Sequence, residues 1–210
     1  MKTLFTATAI AALLATATTA SAKIPNGTSV TDMIVTDSNG VEHNLSDFNG
    51  KRVILEWTND GCPYVQKHYD TDNMQALQKE ATLDGDTVWL SIVSSAPGKQ
   101  GYVSGEGANE LTTSRGAAPS AVILDPSGEM GKTFAAKTTP HMYVVDEGGT
   151  LVYQGAIDDN SSARKSTVAG AKNYVRAAIS DLDAGRAVAE ADTAPYGCSV
   201  KYGSQCILRD

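Results

Sequence analysis

Cys62 is the residue in this chain best placed for covalent chemistry. It lies in the stretch Trp57-Thr58-Asn59-Asp60-Gly61-Cys62-Pro63-Tyr64-Val65, after an apolar run, Val53-Ile54-Leu55, with the character of a buried strand. Beyond it, Tyr64, Val65, His68, Met74, Leu77 and Gln78 follow helical spacing to about Thr82, so the cysteine sits at a strand-to-helix turn. Pro63 suits the first helical position, where a missing N–H costs nothing and the fixed φ is already helical. The thiol then faces a helix N-terminus, whose unpaired N–H groups and macrodipole favour an anion. A thiolate is the nucleophilic form of cysteine, which makes Cys62 a candidate redox thiol. The competing reading is a small buried hydrophobe, because Cys-Pro by itself carries little specificity.

Two more cysteines, Cys198 and Cys206, complete an odd count of three. At least one thiol is therefore free or exchanging. A sulfenic acid or mixed disulfide at Cys62 needs a resolving thiol, and Cys198 can supply it, since Thr193-Ala194-Pro195-Tyr196-Gly197 is flexible enough in composition to fold back. The alternative is a small Cys198–Cys206 loop that leaves Cys62 alone, and both pairings stay open. A hydroxyl or amide from Thr58 or Asn59 could donate to a peroxide oxygen. Arg115 could lower the thiol's pKa, and His141 could reach it as a base or second metal ligand. A lone Cys/His pair is usually not a metal site, so no metal or other cofactor is expected. Asp158-Asp159-Asn160 has the composition of a capping turn, with cation binding as the other possibility. The glycines between Gly101 and Gly107 do not follow a strand with phosphate-loop spacing, which excludes a nucleotide site of that kind.

The elements that must position these groups follow from periodicity. Short strands over Val30–Thr36 and Val41–Leu45 flank the turn Asp37-Ser38-Asn39-Gly40, and Asn49-Gly50 leads into a strand over Lys51–Trp57. The helix after Cys62 is followed by a β-branched strand over Thr87–Val93. Strand, helix and strand at this spacing form a βαβ crossover with parallel strands. Residues 95–116 are Gly- and Ser-rich and read as an insertion or lid with a short helix near Ala108–Ser114. Ala121–Leu124 is a short strand, and Asp125-Pro126-Ser127 opens a helix to about Ala136. Met142–Asp146 and Leu151–Gly155 form an antiparallel hairpin across Glu147-Gly148-Gly149. An amphipathic helix over Ser166–Ala184 closes the series, with Gly185 as its stop.

At the N-terminus, Met1-Lys2, an apolar and Ala/Thr-rich run over Leu4–Ala20 and Ala20-Ser21-Ala22 read as a signal peptide cleaved before Lys23. The organisation is then a leader over 1–22, one domain over 23–185 and a cysteine-bearing tail over 186–210, in an exported periplasmic or secreted protein. Seventeen Lys and Arg against 24 Asp and Glu give a net charge of −7, and losing Lys2 makes the mature chain one unit more acidic. That balance argues against nucleic acid and anionic membrane as partners.

A βαβ unit with a cysteine at its helix start, then Thr139-Pro140 ahead of a β-hairpin and a closing helix, resembles the thioredoxin fold, an α/β architecture with a central mixed sheet flanked by helices. The opening strands resemble the redoxin, or alkyl hydroperoxide reductase/thiol-specific antioxidant, branch. Within it the chain is similar to peroxiredoxin-like members that carry Cys-Pro-Tyr-Val and a late Gly-Cys-Ser-(Ile/Val)-Lys. Here those are Cys62-Pro63-Tyr64-Val65 and Gly197-Cys198-Ser199-Val200-Lys201. The resemblance implies a thiol oxidoreductase acting on a hydroperoxide or a protein disulfide and dependent on an external thiol reductant. It implies that Pro140 is a cis-proline facing the thiol, with Thr139 leaving backbone groups free for a peptide strand. It also places Glu56, six residues before Cys62, where thioredoxin-like proteins often keep a buried acid that manages the thiol's proton; a solvent-facing strand residue is the alternative. The chain departs from both parents. Val65 stands where a Cys-x-x-Cys dithiol needs its second cysteine, and Asn59 and Leu55 stand where a typical peroxiredoxin has Thr and Pro. A non-enzymatic protein that binds a peptide or metal in the same groove is the reading from outside enzymology.

Overall fold

The computed structural model describes residues 23–204; the expected leader and Cys206 lie outside the described residues. Strands β1 (Ile34–Thr36) and β2 (Glu42–Asn44) form an antiparallel pair, and a single 3-10 turn over Leu45–Phe48 leads to β3 (Arg52–Trp57). Helices α1 (Pro63–Tyr69) and α2 (Asn73–Ala81) precede β4 (Thr87–Val93), α3 (Gly105–Ser114), β5 (Ala121–Leu124) and α4 (Glu129–Thr133). The short β6 (Thr138–Thr139) meets the hairpin β7 (His141–Val145) and β8 (Leu151–Gly155). Then come α5 (Tyr174–Asp183) and a two-residue strand, β9 (Cys198–Ser199).

Five strands make the central sheet in the order β5-β4-β3-β7-β8. The β3–β4 and β4–β5 pairs are parallel, while β3–β7 and β7–β8 are antiparallel. Alternation along β3 sends Val53, Leu55 and Trp57 to one face, against Met130 of α4 and Phe134 just after it. Ile54 goes to the other face, where Val65 and Tyr69 of α1, Met74 and Leu77 of α2, and Val175 and Ala178 of α5 cover it. This is the thioredoxin-like α/β fold with a central mixed sheet, and both the parallel crossover and the hairpin expected from the sequence are present.

Three expected helices are shorter than their patterns. The continuous helix over 63–82 is two, because the chain turns at Asp72, which has φ 57. Asp72 sits in the left-handed region, where an α-helix cannot continue. The closing helix begins at Tyr174 rather than Ser166, since Gly170 has φ 88 and only a 3-10 turn over Lys165–Thr167 precedes it. The segment opened by Asp125-Pro126-Ser127 is helical only over Glu129–Thr133, with Asp125 accepting from the Met130 and Gly131 N–H groups at 3.3 and 2.8 Å.

The tail over 186–204 packs back on the sheet. Thr193 N–H donates to the Gln154 carbonyl at 3.1 Å, and the Ala156 N–H donates to Thr193 Oγ1 at 2.9 Å. This approach is possible because Gly155, with φ 150, has no side chain: a Cβ there would stand 2.2 Å from Thr193 Oγ1 and 2.5 Å from the Thr193 carbonyl oxygen. Gly155→Ala is expected to cost about 1–3 kcal/mol, the range for forcing an extra carbon into a filled site. Denaturant unfolding of the two proteins measures it, and equal midpoints would refute this tail packing.

Candidate active site

Cys62 caps α1 with extended backbone, φ −88 and ψ 120, followed by Pro63 as the first helical residue. It has no exposed surface. Its Sγ donates to the Thr139 carbonyl at 3.1 Å, so the helix start and the strand before Pro140 are in direct contact. The Thr139–Pro140 peptide is cis.

The groove beside Thr139, expected to be open to a peptide, is occupied by the chain's own tail. β9 runs antiparallel to β6, with Thr139 opposite Cys198 and Thr138 opposite Ser199. The pairing continues as the Val200 N–H donates to the Lys137 carbonyl at 3.1 Å. Gly197 makes the approach possible. It has φ 136, and a Cβ on it would lie 2.1 Å from the Thr139 carbonyl oxygen. Backbone groups at a strand edge need partners, and here the tail provides them.

Both Cys62 and Cys198 are free thiols, packed in the same cluster beside β6. Their environments push them apart. Burial raises the Cys62 pKa, but donors outweigh it: the Cys198 thiol and the N–H groups of Cys198 and Val65 hold the thiol below its ordinary value. Cys198 is pushed up to about 11, by burial first and then by its role as donor and neighbour to Cys62. Of the two, Cys62 is the more acidic thiol and Cys198 the less acidic.

Glu56 is wholly buried, not solvent-facing. Its carboxylate accepts from Tyr69 Oη, Trp89 Nε1 and Ser91 Oγ, each at 2.9 Å, and from Gln78 Nε2 at 3.2 Å. Burial raises its pKa, and these four donors oppose the rise. Among the described residues no hydrogen bond joins Glu56 to Cys62.

Several other expectations give way. His141 shares a face of β7 with Tyr143, against the Trp57 side of the sheet. Its Nδ1 takes the Lys137 N–H at 3.3 Å and meets Tyr143 Oη at 3.2 Å, so it does not reach Cys62 as a base or ligand. Burial holds its pKa down at about 3. Arg115 forms an ion pair with Asp60 and stacks 4.6 Å from the Tyr69 ring centroid, leaving the thiol without it as a cationic neighbour. The Asn59 side chain is engaged in the turn, accepting from the Gly61 N–H at 3.0 Å and donating one of its two N–H groups to the Gln100 carbonyl at 3.2 Å. Thr58 Oγ1 is buried without a partner and borders a cavity of about 40 Å³ under α3, with Arg115, Tyr69 and Ser91 in its walls; Cys62 does not line it. Asp158 does cap its turn, its Oδ1 taking the Asn160 N–H at 3.0 Å.

Sequence reasoning missed Lys67 and Tyr196. Lys67 lies on α1 without exposed surface, and its Nζ is 3.2 Å from Tyr196 Oη, two residues before Cys198. Tyr64, Lys67 and His68 share one face of α1 by spacing, which was the available signal.

Cys198→Ala removes the leading donor to Cys62, so the thiolate absorbance of Cys62 should titrate at higher pH than in the parent protein. An unchanged midpoint would mean that Cys198 does not stabilise the anion. Glu56 gives a second expectation. A carboxyl whose folded pKa is raised adds stability below the ordinary carboxylate range and loses it as pH rises through the folded pKa. Glu56→Gln should flatten that decline and cost about 1–3 kcal/mol on the acid side, because an amide N–H would face donors. Chemical unfolding as a function of pH measures both.

The Redoxin family model matches residues 19–174 of the chain. No curated protein matches it. Among solved structures, a hypothetical protein from Sinorhizobium meliloti 1021 is 21% identical, with TM-score 0.71 over 87% of this chain and 97% of that one. An uncharacterized conserved protein from Geobacillus kaustophilus is 22% identical, with TM-score 0.72 over 87% of this chain and 94% of that one. Both show the same fold. With the match extending over most of the sheet and over the Cys62 turn, the chain belongs to the Redoxin family, and thiol oxidoreductase chemistry goes with that membership.

Proposed function

We propose that this protein reduces hydroperoxides through a Cys62–Cys198 couple, in an exported form that begins near Lys23. The observation that carries the reading is the placement of Cys198 opposite Thr139, whose carbonyl accepts the Cys62 thiol. The Cys62 thiolate attacks the outer oxygen of a hydroperoxide. The O–O bond breaks, Cys62 becomes a sulfenic acid, and the alkoxide or hydroxide leaves with a proton. Cys198 then attacks the sulfenic sulfur, a disulfide forms and water departs. An external dithiol returns both cysteines to thiols, taking the disulfide's place as the oxidised species.

Two features favour a small oxidant over a protein disulfide. β9 occupies the edge at which a peptide would pair, and Cys62 is buried beneath it. A folded protein substrate would have to displace the tail first; a hydroperoxide needs room for only a few atoms. The opposed shifts of the two thiols suit the order of events, with attack by Cys62 and resolution by Cys198. Export is supported by the basic start, apolar run and Ala20-Ser21-Ala22 of the leader. No helix among the described residues is long and apolar enough to cross a membrane.

Reduced protein over residues 23–210 is expected to consume hydrogen peroxide or an alkyl hydroperoxide faster than a free thiol does. Cys62→Ser should abolish this. Cys198→Ser should keep the first turnover and stop there. Mass spectrometry of the wild-type product should show a Cys62–Cys198 bridge. Consumption no faster than that of cysteine, with Cys198 joined to Cys206, would reject the proposal and move the weight to disulfide exchange or binding.

A further inference from the structure

Lys67 carries its ammonium inside the protein on α1, the helix that Cys62 caps. A buried charge persists only when paired and hydrogen-bonded. Lys67 Nζ donates to the carbonyls of Asn160 at 2.8 Å and Ser162 at 3.0 Å and to Tyr196 Oη at 3.2 Å, and the Asp158 carboxylate lies 3.6 Å away. His68 stands beside it. The Asn73 amide nitrogen lies 2.9 Å from His68 Nδ1, which leaves the ring proton on Nε2, 3.3 Å from Tyr196 Oη.

Tyr196 is the meeting point. Its hydroxyl donates to Asp158 Oδ1 and accepts from Lys67 and His68, which uses its one proton and both lone pairs. Its ring packs on Tyr64, with centroids 5.9 Å apart, on the same first turn of α1. Every partner of the hydroxyl belongs to α1 or to the turn after β8. Tyr196 belongs to the tail, and only Gly197 separates it from Cys198. Gly197 carries no side chain to hold that junction, so the nearest side-chain anchor on the N-terminal side of Cys198 is Tyr196.

A disulfide needs its sulfurs about 2 Å apart, with a narrow range of Cα separation. The rate and equilibrium of forming one within a chain follow the effective concentration of one thiol at the other. We propose that Tyr196 is a positioning residue for the redox couple: through Lys67, His68 and Asp158 it fixes the tail to the helix bearing Cys62 and so sets the effective concentration of the Cys198 thiol there. The proposal rests on the reading of Cys62 and Cys198 as a couple. It treats the buried charge as a clamp between the two halves of the site rather than as a general contribution to folding.

The test uses the protein over residues 23–210 equilibrated with reduced and oxidised dithiothreitol. Two protons and two electrons pass from the Cys62 and Cys198 thiols to the cyclic disulfide of the reagent, so the equilibrium constant reads the effective concentration without any peroxide. Tyr196→Phe is expected to lower that constant about tenfold, raising the couple's potential by about 30 mV. Asp158→Asn, which keeps the shape and one acceptor oxygen, should shift it in the same direction. After one equivalent of hydrogen peroxide, the fraction of oxidised Cys62 trapped as sulfenic acid by dimedone should rise in both variants. Leu45→Ala, buried on the opposite face of the sheet, provides a variant that loses stability without touching the clamp, and its potential should match the wild type. If Tyr196→Phe and Asp158→Asn lose stability but keep the wild-type potential, the groups are a folding device and the proposal is wrong. If the wild-type protein forms no Cys62–Cys198 disulfide with this reagent or after one equivalent of hydrogen peroxide, the couple itself is wrong, and the clamp falls with it.

Discussion

The edge at Thr138–Thr139 has backbone groups that must be paired, and the chain pairs them with its own last strand. Much of the site's character depends on this one constraint. Pairing Cys198 with Thr139 puts a second thiol against the first without any Cys-x-x-Cys motif. It also fills the edge that would otherwise take an extended peptide. The price is close backbone contact at two points, and both are met by glycines with positive φ, Gly155 and Gly197. A tail that looks irregular in sequence is thereby a structural part of the site.

Two buried polar clusters hold α1 from either side. Toward the sheet, Tyr69 bonds to Glu56, which Trp89, Ser91 and Gln78 also satisfy. Toward the tail, Lys67 and His68 meet Asp158 and Tyr196. A helix of seven residues is too short to be stable by propensity alone. Its direction comes from these directional bonds and from the packing of Val65 and Tyr69. Hydrogen-bonded networks in a low-dielectric interior specify one arrangement because a partly satisfied alternative is costly. The thiol at the N-terminus of α1 inherits that precision.

The two cysteines show how neighbours rather than residue type decide reactivity. Cys62 is more buried than Cys198, so desolvation alone would make it the weaker acid. Donors reverse the order: N–H groups at the helix start and the partner thiol favour a charge on Cys62, and that same charge disfavours one on Cys198. Two chemically identical side chains are thus given opposite acidities.

The local pattern was enough to locate Cys62 at a strand-to-helix turn, the parallel crossover over β3 and β4, and the hairpin after Pro140, because strand alternation, helical spacing, Pro at a helix start and Gly-Gly at a turn act over a few residues. It was not enough to stop the helices: Asp72 reverses the chain in a conformation that a non-glycine residue rarely adopts, and no spacing rule marks it. His141, Arg115 and Asn59 were plausible partners for the thiol by proximity in an imagined fold. The sheet turned the first to its other face, Asp60 took the second, and the turn engages the third. The sequence by itself determined the fold class and the place of Cys62 at a helix start. Only tertiary structure decided what lies beside that thiol, since strand pairing across more than fifty residues and the satisfaction of a buried lysine are long-range conditions that no local pattern encodes.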